Sequence, residues 1–282
     1  MVDLHTHSNA SDGSLSPKEL IQEAAKRGLS AIALTDHDTI NGLEDARNEA
    51  AIGGIRFIPG IEMEITHSGP GEFHLLGLGI TRPSPAFRDA VSELSRLRET
   101  RNREILDKMH ELSVEAAYEE VQALSGGHSV GRPHFAALLV NRGIVKNREQ
   151  AFSRYLGVGK PFYAPKAGLD FERAVALIRE SGGLPVLAHP MSLYVAWGRL
   201  PDMIRELKDK GLMGIEAWHP TAKIRACRRL EELGQELGLY ITAGSDFHGE
   251  IRPDRRLGIT SGGRKIEDAV LAAIPELDAQ VV

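Results

Sequence analysis

The chain has a single cysteine, Cys227, in 282 residues, which excludes an internal disulfide framework and any thiolate-rich zinc site. Aromatic residues make up only 5%, too few for an extended platform on which bases stack. No apolar run approaches the ~18 residues that a membrane span requires. Basic residues are not in excess, since 34 Lys and Arg face 39 Asp and Glu, a formal net charge of -5. A broad hold on duplex nucleic acid depends on phosphate neutralisation by Lys and Arg, so no duplex partner is expected. A small anionic ligand or the end of a single strand needs only a local concentration of positive charge, which metal ions can supply. The start, Met1-Val2-Asp3-Leu4-His5, lacks the basic and apolar regions of a signal peptide, and a cytoplasmic location with no membrane partner is expected.

What is present is an ordinary globular composition, 42% hydrophobic and 26% charged. A unit repeats along the chain: a short apolar run, a cluster of His, Asp or Glu, then a helical stretch ending in Gly. Val2-Asp3-Leu4 leads into His5-Thr6-His7, and Ser16-Pro17-Lys18-Glu19 then forms a capping box with Pro at the first helical position. Ala31 to Leu34 leads into Thr35-Asp36-His37-Asp38, Ile55 to Ile58 into Gly60-Ile61-Glu62, and a fourth run around residues 73–80 contains His74. After a gap, Leu184 to Ala188 meets His189-Pro190, Gly214-Ile215 meets Glu216-Ala217-Trp218-His219, and Leu239 to Ala243 meets Gly244-Ser245-Asp246-Phe247-His248. Strands alternating with helices indicate parallel β/α units, and about seven of them favour a closed barrel over a doubly wound sheet.

Residues 81–165 break the pattern. Residues 85–112 read as one long amphipathic helix with Val91, Leu94, Leu97, Ile105 and Met109 as apolar positions, and shorter helices are expected at 115–124, 133–141 and 148–155. The expected organisation is therefore a barrel from residues 1–80 and 166–282, with residues 81–165 as a helical insertion capping one face.

His5, His7, His37, Glu62, His189, Glu216, Asp246 and His248 all stand at or just past the C-terminal end of an apolar run. In a β/α barrel those ends converge on the face where active sites are built. One such histidine alone is an ordinary surface or core residue. Five of the chain's eleven, together with acids, at strand ends are not. Imidazole with carboxylate suits Zn, Mn or Fe. The set exceeds the three protein groups typical of one catalytic zinc, so it fits two or three divalent ions bridged by a carboxylate such as Glu62. Clustered ions lower the pKa of a bound water and clamp an in-line displacement at phosphorus. Asp36 and Asp38 flank His37 and read either as carboxylates fixing its tautomer or as helix-start carboxylates.

These motifs together resemble the PHP (polymerase and histidinol phosphatase) family of metal-dependent phosphoesterases. The resemblance rests on His5-Thr6-His7 with Ser11-Asp12-Gly13, Thr35-Asp36-His37-Asp38, Gly60-Ile61-Glu62, His74, Ala188-His189-Pro190 and Gly244-Ser245-Asp246-Phe247-His248, and spans nearly everything outside the insertion. It implies a distorted seven-stranded β/α (TIM-like) barrel. It also implies three metal sites: His5, His7, Glu62 and Asp246; Glu62, His74 and His189; and Asp12, His37 and His248. Asp12, His37, Glu62, Asp246 and His248 are implied to carry catalysis. Asp12 and His74 enter through the resemblance, because Asp-Gly alone reads as a turn and His74 lies inside a strand run.

Within the insertion, Gly131-Arg132-Pro133-His134-Phe135 is similar to a bacterial subgroup that includes a nucleoside 3′,5′-bisphosphate phosphatase, an AMP phosphatase and a 5′-to-3′ exoribonuclease acting on short RNA. Arg132 and His134 are then expected to bind a substrate phosphate, with Lys160 as a further positive group. The expectation is hydrolysis of a nucleotide phosphate monoester by a hydroxide held between the ions, with cleavage of short RNA from its 5′ end as the nearest alternative. A metal-dependent amide hydrolase and a non-catalytic binding module are the readings from other classes. Glu216, Trp218 and His219 are left open between site and packing roles, and His67, His110 and His128 are expected on the surface.

Overall fold

In the computed structural model, which describes residues 1–69, 71–125 and 129–278, seven strands pair in sequence order into one sheet. They are β1 (Val2–Asp3), β2 (Ala31–Leu34), β3 (Arg56–Glu64), β4 (His74–Leu78), β5 (Leu184–Leu187), β6 (Gly214–Trp218) and β7 (Tyr240–Ala243). The sheet is nearly closed. Beyond β1 and β7 the two edges meet, with Leu4 N donating to Ala243 O at 3.3 Å, His7 N to Phe247 O at 2.9 Å and Asp246 N to His5 O at 3.0 Å. No helix among the described residues is long and apolar enough to cross a membrane.

The expected uniformly parallel barrel is corrected at one strand. β4 runs antiparallel to both β3 and β5, while the remaining neighbours pair in parallel. The reason is the connection: the nine residues from 65 to 73 show no helix among the described ones, and a parallel return needs a crossover of roughly a dozen residues or more. Reversal puts the first residue of β4, His74, at the barrel end where the other strands finish. The metal-ligand type of His74 and its position inside a strand are thereby reconciled.

Helices clothe the barrel because each has one apolar face. α1 (Pro17–Lys26) starts at the expected capping box, in which Glu19 N donates to Ser16 Oγ and Ser16 N to Glu19 Oε2. It buries Leu20, Ile21 and Ala24, a spacing that places them on one side. α2 (Leu43–Gly53) packs beside it. α7 (Phe171–Glu180), α8 (Leu200–Asp209) and α9 (Ile224–Glu236) cover the second part of the barrel.

Residues 81–165 hold α3 (Pro85–Glu111), α4 (Tyr118–Leu124), α5 (Arg132–Asn141) and α6 (Arg148–Ala151), the last continuing into a π-helical turn over Phe152–Leu156. α3 joins two apolar cores. Phe87, Ala90, Val91 and Leu94 pack with the barrel, whereas Ile105, Leu106 and Met109 pack with Val121, Phe135, Leu139, Leu156 and Phe162 of the inserted helices.

Candidate metal centre

Three local devices bring the donor residues together. Past Leu34 the pairing of β2 with β3 continues irregularly, with Glu62 N donating to Asp36 O and Asp38 N to Glu62 O, which sets His37 beside Glu62. His189 and Asp246 take left-handed backbone conformations, φ 27° and 52°, costly for non-glycine residues and common where a site is built. Gly244 allows His5 and Glu216 to approach the backbone closely. A Cβ there would lie 2.2 Å from His5 Cβ and 2.6 Å from Glu216 Oε1.

All nine residues expected as ligands meet at this end of the barrel. Glu62, wholly buried, is the hub. Its Oε2 lies 3.3 Å from His5 Nε2, 3.3 Å from His7 Nε2 and 3.0 Å from His37 Nδ1. Its Oε1 lies 2.8 Å from both His74 Nδ1 and His189 Nε2. Each oxygen thus gathers its own imidazoles, as a carboxylate shared between two cations does. A third group comprises His7, Asp12, His37 and His248, with His248 Nε2 3.2 Å from Asp12 Oδ1. Asp246 Oδ1 approaches His7 Nε2 at 3.3 Å.

The donors fit divalent cations on three grounds. Nitrogens of different rings converge on common points, His5 Nε2 and His7 Nε2 at 3.1 Å and His74 Nδ1 and His189 Nε2 at 3.3 Å. Two imidazole nitrogens that close require a proton or a metal between them. Buried donor atoms lack a well-directed hydrogen bond, namely His7 Nδ1, Glu62 Oε2 and His248 Nε2. The other nitrogen of several rings is already engaged: His5 Nδ1 with Glu216 Oε1 at 2.9 Å, His189 Nδ1 with Ser192 Oγ at 2.7 Å and His248 Nδ1 with Asp246 O at 2.8 Å. Such partners fix the tautomer and point the free Nε2 inward.

Without cations the same groups neutralise one another. Burial opposes charge on His7, yet its bonds to Asp246 and Glu62 raise it to about 9. Burial and nearby Lys166 oppose charge on His74, and Glu64 and Glu62 still lift it to about 10. Burial drives His37 well below the usual histidine value. Burial also opposes ionisation of Asp12, Glu62 and Asp246, but the surrounding imidazoles hold all three well below the carboxylate range.

Asp36 does not contact the His37 ring. It accepts from Ser8 N at 2.8 Å, Ser8 Oγ at 2.6 Å and Ser11 Oγ at 2.6 Å, pinning the loop that carries Asp12. Asp38 pairs with Arg98 and accepts from Glu64 N at 2.9 Å. Trp218 is buried, donates through Nε1 to Glu231 at 3.1 Å and lies under Arg264, a packing role on the barrel's outer side. Glu216 and His219 are both buried at the site, His219 Nε2 lying 3.3 Å from Asp246 Oδ2. Lys160 is exposed and His67 is half-buried, His110 is exposed as expected, and His128 lies outside the described residues.

Above the donors opens a cavity of about 970 Å³ whose lining includes Asp12, His37 and His74 together with Arg98, Arg101, Arg132, Arg148, Lys166 and Arg252. Arg132 is ion-paired with Glu72, and Arg132 and Arg148 both approach the Phe152 ring, at 5.7 and 5.5 Å. Lys166 Nζ lies 2.6 Å from Glu64 and 3.0 Å from His74 Nε2. His134 is buried; its Nδ1 accepts from Gly131 N at 2.9 Å, so it shapes the turn that presents Arg132. Sequence reasoning missed Glu64, Lys166, Arg98, Arg101, Arg148 and Arg252.

Residues 3–162 match the PHP domain. The chain is 36% identical over 246 residues to a 5′-3′ exoribonuclease of Haemophilus influenzae, covering 87% of this chain and 89% of that protein. It is 32% identical over 260 residues to a 3′,5′-nucleoside bisphosphate phosphatase of Chromobacterium violaceum, covering 92% and 91%. A solved structure from the same species, described as an amidohydrolase with bound sulfate and no metal, superposes with a TM-score of 0.88 at 30% identity, covering 100% of this chain and 97% of that one. Carboxylate-bridged imidazoles at the mouth of a seven-stranded barrel and likeness along most of the chain lead to the same place: the chain belongs to the PHP domain family and is a metal-dependent phosphoesterase.

Proposed function

We propose that this chain hydrolyses a phosphate monoester of a nucleotide that carries phosphates at both its 3′ and 5′ positions. The observation that carries this reading is the cavity lining, which joins Asp12, His37 and His74 of the donor cluster to the guanidinium groups of Arg98, Arg101, Arg132, Arg148 and Arg252. A phosphate at the donor cluster and a second at the guanidinium groups account for both. In this reading one ion is held by His5, His7, Glu62 and Asp246, a second by Glu62, His74 and His189, and a third by Asp12, His37 and His248. When bound, Mn, Zn or Fe supplies Lewis acidity and lowers the pKa of water.

The chain's own residues do the rest. Glu216, Ser192 and the Asp246 carbonyl hold ring protons on the outward nitrogens of His5, His189 and His248, keeping the inward ones as donors. Arg132 exchanges its Glu72 partner for a substrate phosphate, which a guanidinium binds through two parallel bonds. Orientation by that second contact brings the ester into line for attack.

Phosphate release from a panel of nucleoside 3′,5′-bisphosphates and AMP, with added divalent metal, tests the reading. Metal-dependent release from the bisphosphates is expected, and no release from any of them removes this substrate. A second reading, cleavage of short RNA from a 5′-phosphorylated end, is favoured by the cavity volume of about 970 Å³, at the top of the ~300–1,000 Å³ usual for small-ligand sites. Incubation with a 5′-phosphorylated oligoribonucleotide distinguishes it by a ladder of shortened products.

A further inference from the structure

The apolar stripe of α3 runs through Phe87, Val91 and Leu94 and resumes at Ile105 and Met109. Between them, at the same helical spacing, stand Arg98 and Arg101. Two cations in core positions need partners, and they differ in having them. Arg98 is paired with Asp38. Across the cavity Arg132 has Glu72 and Lys166 has Glu64.

Arg148 and Arg252 also lack a carboxylate within 4.0 Å among the described residues but are half-buried, and Arg101 is the buried exception. It is 6% exposed, and among the described residues no carboxylate lies within 4.0 Å of it. Its one hydrogen bond among them runs from Nη2 to Asn102 Oδ1 at 3.2 Å, and its Nε has no partner. Asn102 is itself occupied, donating to Val130 O at 2.9 Å. Burial, reinforced by repulsion from Arg98 and Arg132, pulls the Arg101 guanidinium down to about 9, still protonated at neutral pH. A buried cation without a counter-charge destabilises a fold. This one lines the cavity beside Arg132 and is not one of the nine donor residues. An anion from outside would satisfy it.

We propose that Arg101 binds the phosphate that stays on the product, the one not hydrolysed, an assignment that rests on the bisphosphate reading above. Arg101 and Arg132, on different helices, then clamp a single phosphate from two sides. The two-phosphate substrate class follows from a phosphate held by this pair while the other lies at the donor cluster.

Three substitutions test it: R101Q, R101M and R101K. Calorimetric titration of chelator-treated protein with adenosine 3′,5′-bisphosphate should show an affinity about tenfold lower in R101Q and R101M, with R101K between, because Lys keeps the charge and loses the two-pronged geometry. Melting temperatures without ligand should be equal to or above that of the unsubstituted protein, since an uncompensated charge is removed. In metal-loaded protein, KM for the bisphosphate should rise about tenfold more than KM for p-nitrophenyl phosphate, which has no second phosphate to hold. Unchanged affinity for the bisphosphate overturns the assignment, as does a fall in affinity accompanied by lower melting temperatures in all three variants. Failure of the unsubstituted protein to bind the bisphosphate also overturns it. Arg101-dependent binding without phosphate release contradicts the proposed reaction and leaves the anion site standing.

Discussion

Glu216 joins two histidines: its Oε1 lies 2.9 Å from His5 Nδ1, and its Oε2 accepts the backbone N–H of His189 at 2.7 Å. One buried carboxylate thereby fixes the tautomer of a donor ring and the left-handed backbone of the residue that supplies another. Partners of this kind typically change metal affinity about 10–100-fold when lost. E216Q should weaken divalent-metal binding by that factor while circular dichroism shows the fold intact. Metal titration that finds unchanged affinity would remove Glu216 from this role.

Gly244 has no room for a side chain, its nearest neighbours being His5 and Glu216. G244A should force His5 out of line, with the ~1–3 kcal/mol destabilisation usual for overpacking and a larger proportional loss of bound metal. Denaturant unfolding and metal analysis of one preparation check both parts. Full metal occupancy in G244A would show that His5 does not need its present position.

Asp36 accepts three hydrogen bonds from Ser8 and Ser11 in the loop that leads to Asp12. D36A leaves a buried backbone N–H unsatisfied, a loss of about 1–3 kcal/mol. Because Asp12 rides on that loop, metal stoichiometry should fall as well. A variant with normal stability and full stoichiometry would mean that the loop is held by other contacts.

The apolar runs, their order and the histidines and acids that follow them are local features, and so the barrel and most of the donor set were legible along the chain. His74 shows where local pattern ends. Its place at the start of a strand meant little until the direction of β4 was known, and direction is set by the short connection before it and by pairing on both sides. Asp36 and Asp38 flank His37 in sequence, yet a backbone that is left-handed at Asp38, φ 53°, turns them to other partners, Ser8 and Arg98. Lys166 stands in an irregular segment with no periodicity to mark it. Arg98 and Arg101 left a visible trace, an interruption of the α3 stripe by charge at core spacing, which a list of apolar positions alone passes over. Trp218 read equally well as a stacking surface or as packing, and only its bond to Glu231 decides.

Metal content and phosphate release, measured on the same sample before chelation, after it, and after Mn is restored, test the metal centre directly. At least two divalent ions per chain are predicted, with hydrolysis of a nucleoside 3′,5′-bisphosphate lost on chelation and regained with the ions, and neither recovered in E62Q. Sustained hydrolysis by protein stripped of metal, or an E62Q protein that binds and turns over normally, would contradict the account.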